Sequence, residues 1–165
     1  MKKYELTDET IEVYGTALHR IKALKDFGNV KKGELGGYVE SERNLSQEGN
    51  CWVYSNARVY SNALVYGNAK VCGNALVYSN ALVCGNAEVC GNADYITIKG
   101  LGSVCRNTTI FRTKGKNIAV KCGCFYGTLA EFVDKVKETH GNSKFAKEYL
   151  ALIDLVKIHF ELEDK

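Results

Sequence analysis

Proline is absent from this chain of 165 residues, and Met and Trp occur once each. Without proline there are no turns pre-set by a locked φ and no stiff Pro-rich linker. The bends fall instead to the 16 Gly residues and to Asn. Histidine occurs only at 19, 140 and 159, so candidates for a general base or a His-rich metal centre are few. No stretch approaches the roughly 18 consecutive apolar residues of a membrane span. The first ten residues, MKKYELTDET, hold no apolar run, so neither a membrane partner nor a secretory leader is expected. The balance of 22 Lys+Arg against 19 Asp+Glu leaves a formal charge of +3, too small to imply nucleic-acid binding by itself. Seven Cys in a leaderless chain point to a reducing, cytoplasmic setting with free, mostly structural thiols.

What the chain does have is a period of six. From Trp52 to Ala93 it reads WVYSNA, RVYSNA, LVYGNA, KVCGNA, LVYSNA, LVCGNA, EVCGNA, seven hexads without interruption. Val stands at 53, 59, 65, 71, 77, 83 and 89, and Ala closes each hexad. A repeat this short suits a parallel β-helix rather than a helical array. In an extended segment residues two apart share a face, so Ala69 and Val71 point inward while Lys70 and Cys72 point outward. Gly or Ser followed by Asn marks the corner, where a positive φ is expected. With three sides per lap, residues 18 apart stack at a spacing of about 4.8 Å. The Asn residues at 50, 68 and 86, at 56, 74 and 92, and at 62 and 80 stack too, a geometry for amide ladders.

An aliphatic residue followed four places later by a small one, as in Val65 and Ala69, resembles the hexapeptide-repeat family. That resemblance implies a left-handed parallel β-helix of triangular section. Tyr or Cys directly after each Val departs from the small or acidic residue usual there. The resemblance holds over 52–93 and loosely over 34–99. The expected fold class is therefore mainly β: a hexapeptide-repeat solenoid over 34–99, an N-terminal β cap over 1–33, and a C-terminal hairpin with two helices over 100–165. The tail pattern rests on strands near Thr108–Thr113 and Ile118–Phe125 and on a capping box at Thr128-Leu-Ala-Glu131. A first helix ends at His140-Gly141, and a second runs from about Ser143 to Phe160 with Phe145, Tyr149, Leu152, Val156 and Phe160 on one stripe.

The outward columns differ by side. The first carries Trp52, Tyr54, Lys70, Cys72, Glu88 and Cys90; the second Arg58, Tyr60, Leu76 and Tyr78; the third Leu64, Tyr66, Leu82 and Cys84. The third has no charge, so a cover is expected, either another chain or the C-terminal helices. Cys72 and Cys90 are stacked neighbours within disulfide reach, but small apolar surface residues are the simpler reading. Cys122-Gly123-Cys124 with Cys105 and His140 lacks the usual C-x-x-C metal spacing, so no metal and no cofactor are expected. The run Tyr95 to Ala130 holds Lys99, Arg106, Arg112, Lys114, Lys116 and Lys121 and no acid. Such a hairpin can hold a nucleotide or single strand, or simply block edge-to-edge pairing.

Three stretches, HRIKALKDFGNVKKGELGGYVE, NCWVYSNA and CGCFYGTLAEF with AKEYLALI, resemble uncharacterised phage- and prophage-encoded proteins. The resemblance implies a protein made in the cytoplasm of a bacterial host. The expectation drawn from it is a non-catalytic interaction protein that binds and inhibits a host component such as a defence, CRISPR or nuclease protein. Its anchors are Tyr60, Tyr78, Leu64, Tyr66 and Leu82 on the coil, with homo-oligomerisation through an outer face as an alternative use, and Arg112, Lys114 and Lys116 on the hairpin. Two other readings stay open. Hexapeptide enzymes are commonly acyltransferases that use a His base between subunits, although no His lies in these coils. The solenoid also suits a phage structural or assembly part.

Overall fold

The computed structural model of the chain describes residues 1–162. It is mainly β, with four sheets followed by two C-terminal helices. Three strands come first: β1 (Tyr4–Val13), β2 (Thr16–Ala23) and β3 (Leu35–Val39). Seven two-residue strands follow, one per hexad: β4 (Trp52–Val53), β5 (Arg58–Val59), β6 (Leu64–Val65), β7 (Lys70–Val71), β8 (Leu76–Val77), β9 (Leu82–Val83) and β10 (Glu88–Val89).

Each short strand from β4 to β7 pairs in parallel with the strand 18 residues on. Val53 faces Val71 and Val71 faces Val89 on the first side. Val59 pairs with Val77 on the second side and Val65 with Val83 on the third. The outward residues tie the laps together: Trp52 N–H donates to Ala69 O (3.0 Å), Arg58 to Ala75 O (2.9 Å), Leu64 to Ala81 O (2.9 Å) and Lys70 to Ala87 O (2.8 Å). Every repeat Val and every Ala from 57 to 87 is buried. Ala93 is the exception, because a 3-10 turn at Asn92–Asp94 ends the winding there and leaves it exposed.

Corners are made by the residue before Asn. Gly67, Gly73 and Gly85 take positive φ, and so do Ser55, Ser61 and Ser79 at 53° to 59°, a region that L-residues seldom enter. The expected amide ladders are sparse. Asn50 Nδ2 donates to Asn68 Oδ1 (3.3 Å), whereas Asn44 and Asn92 turn to the backbone of Ala63 and Leu76.

The N-terminal strands extend the second side. β1 and β2 form an antiparallel hairpin with an irregularity between Leu6 and Thr10, β2 pairs with β3, and β3 lies parallel to β5. Trp52, expected outward, is fully buried. The cap wraps it, with Tyr4 and Phe27 edge-on at 6.0 and 5.3 Å. Gly36 passes so near that any Cβ would meet the Trp52 ring and Val53 O. Lys3 closes this end of the winding. Its buried Nζ donates to Glu48 O (3.2 Å) and Cys51 O (3.0 Å), stands 3.2 Å from Cys51 Sγ and lies 5.0 Å from the Phe27 ring centre. Desolvation lowers the lysine pKa and raises that of the thiol.

After the coil come β11 (Tyr95–Leu101), β12 (Arg106–Arg112), β13 (Ile118–Cys122) and β14 (Phe125–Thr128), an antiparallel sheet in sequence order. The helices α1 (Leu129–His140) and α2 (Lys144–His159) follow. Thr128 and Glu131 form the expected capping box at α1. Ile110, Val120, Phe132, Val136, Leu152 and Val156 fill the sheet–helix core. The opposite sheet face presents Phe111 and Ala119 to the coil interior's own cluster. This chain's sheet, not its helices, therefore closes the C-terminal end of the winding; on the third side it buries Cys84 but leaves Leu64 exposed. Leu82 N–H donates to Thr109 Oγ1 (3.0 Å), and Asn107 Nδ2 donates to Asn80 O (2.7 Å).

Cys72 and Cys90, read above as free, are joined by a disulfide across two laps, with Cα atoms 4.3 Å apart. The stacking that puts Val71 beside Val89 delivers the next residues in register.

Two outcomes follow from this packing. Val71→Ala, in the middle lap, removes a buried aliphatic from a column that cannot collapse, at a cost of about 2–4 kcal/mol; calorimetry should show Tm falling by roughly 4–16 °C. Reducing the Cys72–Cys90 bridge, which spans a separation of 18 residues, should cost about 3 kcal/mol by loop entropy. Denaturation with and without reductant reads that difference, and a Cys72→Ser variant should no longer respond to reductant.

Candidate functional site

The turn joining β12 to β13 sets the site. Thr113 N–H donates to Asn117 O (2.8 Å) and Lys116 N–H to Thr113 O (3.0 Å), with positive φ at Gly115 and Lys116. This closes a tight tip with Lys114 and Lys116 on its outside. Lys114 N–H then reaches the coil corner at Asn86 O (3.2 Å), and Thr113 bridges Ala87. Tyr126 on β14 lies across the same corner. Its hydroxyl accepts from Asn86 N–H (3.4 Å), and its ring stacks over Phe111 at 6.4 Å. Gly85, at φ 61°, lets the ring lie there, since any Cβ would collide with it.

Two clefts meet at this tip and share Asn117, Ile118 and Thr128. One, of about 780 Å3, runs from Asn86 and Lys114 past Tyr126 to Glu131. The other, of about 560 Å3, has an apolar floor of Ile118, Leu129, Val133, Ile153 and Leu162, with Lys116 and Lys157 at its rim. A smaller hollow of about 180 Å3 continues along the coil beside Lys70, Glu88 and Lys114. Together they form a groove, greasy at the helix end, hydrogen-bonding at the coil end and edged by lysines.

Two acids line this groove, Glu88 and Glu131, and the second is already engaged. Glu131 accepts from Thr128 N–H (2.7 Å) and Thr128 Oγ1 (2.9 Å). These bonds, the backbone one foremost, hold its carboxyl below the usual range. None of the three histidines lines the groove. His19 Nδ1 meets Thr7 O (3.2 Å), His140 packs between Phe145 and Tyr149, and His159 Nε2 meets Ala93 O (2.8 Å). Among the described residues no cluster of His, Cys, Asp and Glu suits a metal. Cys105 and Cys124 are exposed and Cys122 is buried, because β13 ends at Cys122 and Gly123, at φ 56°, turns the chain before Cys124.

The remaining candidates divide. Lys114 and Lys116 flank the groove. Arg112 does not join them: its Nε pairs with Asp94 Oδ1 (3.3 Å), and its guanidinium covers the Phe160 ring at 5.1 Å, pinning the last helix to the coil's exit. Tyr60 is 6% exposed, packed with Val13, Leu18 and Tyr38, so it is not open to a partner. Tyr66 and Leu82 are half-buried, and Cys84 lies under the sheet. Burial, then a hydrogen bond with Cys84, pushes the Tyr66 hydroxyl upward in pKa. Leu64 and Tyr78 stay open, at 38% and 45% exposed. The groove itself was not legible beforehand. Its floor comes from β13, α1 and α2, and only the unbroken basic run signalled it.

No family model matches the chain. Over 62 residues it is 40% identical to a protein of Escherichia coli (strain K12) described as an uncharacterized acetyltransferase, YdcK; that stretch is 33% of this chain and 19% of the other. The chain therefore spans about a fifth of the length of the relative it matches. No helix among the described residues is long and apolar enough to cross a membrane.

Proposed function

We propose that the winding is a left-handed parallel β-helix of the hexapeptide-repeat type, and that the lysine-edged groove binds a phosphorylated acyl donor of the coenzyme A class for transfer to a small molecule. The observation that carries this is the 40% identity over 62 residues to a protein described as an acetyltransferase. The groove's chemistry supports it. A coenzyme A thioester joins a phosphate-rich nucleotide to an arm of amide and methylene groups. Lys114, Lys116 and Lys157 supply cations for the phosphates, Asn86 and Asn117 amide partners for the arm, and Ile118, Leu129 and Val133 an apolar bed. Acyl transfer also requires the acceptor's proton to leave. Donor binding is assigned to this groove; a base is not.

A second reading rests on a different observation. Leu64 and Tyr78 remain exposed on outer coil faces that the chain's own cap and sheet leave uncovered, which suits an interaction protein with a foreign partner, the host-factor role implied by the phage resemblance, or with a second copy of itself.

Calorimetric titration of the full chain with acetyl-coenzyme A separates the two. A Kd on the order of 10–100 µM is expected, weakening with added salt, and a Lys114→Glu, Lys116→Glu double variant should lose at least about tenfold. No heat at millimolar donor overturns the acyl-donor reading and leaves the interaction reading standing.

A further inference from the structure

The second side of the coil ends one lap short. β8 is the edge of its sheet, whereas the first side continues to a third short strand at β10. After β10 the chain leaves the winding, and the position 18 residues beyond Tyr78 holds Ile96, which packs into the sheet–helix core instead. The aromatic column on this side therefore stops at Tyr78. Its ring lies parallel on that of Tyr60, with centroids 5.3 Å apart and planes 13° apart. Tyr60 is itself locked by Val13, Leu18 and Tyr38. Tyr78 is thus a half-exposed ring on a rigid backing, with no aromatic partner in the lap above.

A cleft of about 500 Å3 opens where that partner would lie. Three parts of the molecule wall it: Tyr14 from the tip of the β1–β2 hairpin, Leu76 and Ser79 from the coil, and Tyr95 and Thr97 from β11, with Asn92 at the last corner. The wall is fixed by side chains that close the edge of β8. Tyr95 Oη donates to Leu76 O (2.8 Å), and Leu76 N–H donates to Asn92 Oδ1 (2.8 Å), which leaves the Asn92 amide N–H groups as donors. No charged side chain lines the cleft, in contrast to the lysine-edged groove.

We propose that this cleft is a stacking site for a neutral heteroaromatic ring of the nucleobase class, which would continue the Tyr60–Tyr78 column as its next ring. Bases stack on aromatic side chains and are read along their edges by hydrogen bonds. Tyr78 supplies the ring face, and Asn92 and Ser79 supply the edge contacts. The uncharged lining favours a nucleoside over a phosphate-anchored ligand. A saccharide unit, which also lies on tyrosine faces, is the competing ligand. This site is independent of the acyl-donor reading, because none of its residues lines the lysine groove.

Ligand-observed NMR with the full chain, using adenosine, guanosine, cytidine and uridine as probes and maltose as the competitor, tests it. Saturable binding of at least one nucleoside is expected. Loss of one stacking contact weakens binding by roughly 5- to 150-fold, so Tyr78→Ala should fall in that range, whereas Tyr78→Phe and the Lys114→Glu, Lys116→Glu variant should bind as the parent does. Unchanged melting temperatures identify the loss as local. The proposal is overturned if no nucleoside binds at millimolar concentration, if Tyr78→Ala binds as well as the parent, or if maltose binds and the nucleosides do not.

Discussion

The structure depends on one constraint: residues 18 apart must sit on top of one another. From Trp52 to Cys72 each outward residue hands its N–H to the carbonyl of an inward Ala or Val in the next lap, as Tyr54 does to Val71 O (2.7 Å) and Cys72 to Val89 O (2.8 Å). The inward Val and Ala columns then exclude water from the axis. Neither part suffices alone. Two-residue strands form too few bonds to be stable in isolation, and a valine column buries itself only if the laps keep register. The interior that results holds no polar side chain from the hexads, so chemistry is confined to the outer sides and to the flanking modules.

A stack of this kind has two open ends, each a row of unpaired backbone groups. The N-terminal end is closed by a hairpin that adds strands to one side and by Lys3, whose ammonium satisfies carbonyls that have no lap beneath them. The C-terminal end is closed by the sheet β11–β14, whose Phe111 and Ala119 pack on the coil interior and whose Thr109 and Asn107 bond the last lap at Leu82 and Asn80, while its helices cover its far face. The two clefts of interest arise from these closures. One forms where the β12–β13 tip meets the corner at Asn86, the other where the second side stops short under Tyr14 and Tyr95.

The hexads, their inward and outward faces, the register of 18, the capping box at Thr128 and both helices were legible in the sequence, because each follows from local periodicity or a local cap. What was not legible came from non-local packing. Trp52 and Tyr60 alternate outward as the pattern demands, yet the N-terminal cap buries both, and nothing in the repeat announces where a cap will fold. Arg112 reads as a free hairpin cation until Asp94 and Phe160 are brought to it. β14 hides in a run taken as the end of β13, since Gly123 at φ 56° turns the chain within CGCF. Cys72 and Cys90 were correctly placed as neighbours, but spacing alone does not choose between two thiols and a bridge. The candidate sites share this limit: the lysines of the groove were visible, whereas its floor and the tyrosine cleft are made by segments far apart in sequence.

Through-space NMR contacts across the laps test the central claim most directly. Backbone contacts between residues 18 apart, Val53 with Val71, Val71 with Val89, Val59 with Val77 and Val65 with Val83, in a parallel pattern, are the predicted result. Contacts at any other spacing, or an antiparallel pattern between successive hexads, would contradict the stacked winding and every surface assigned from it.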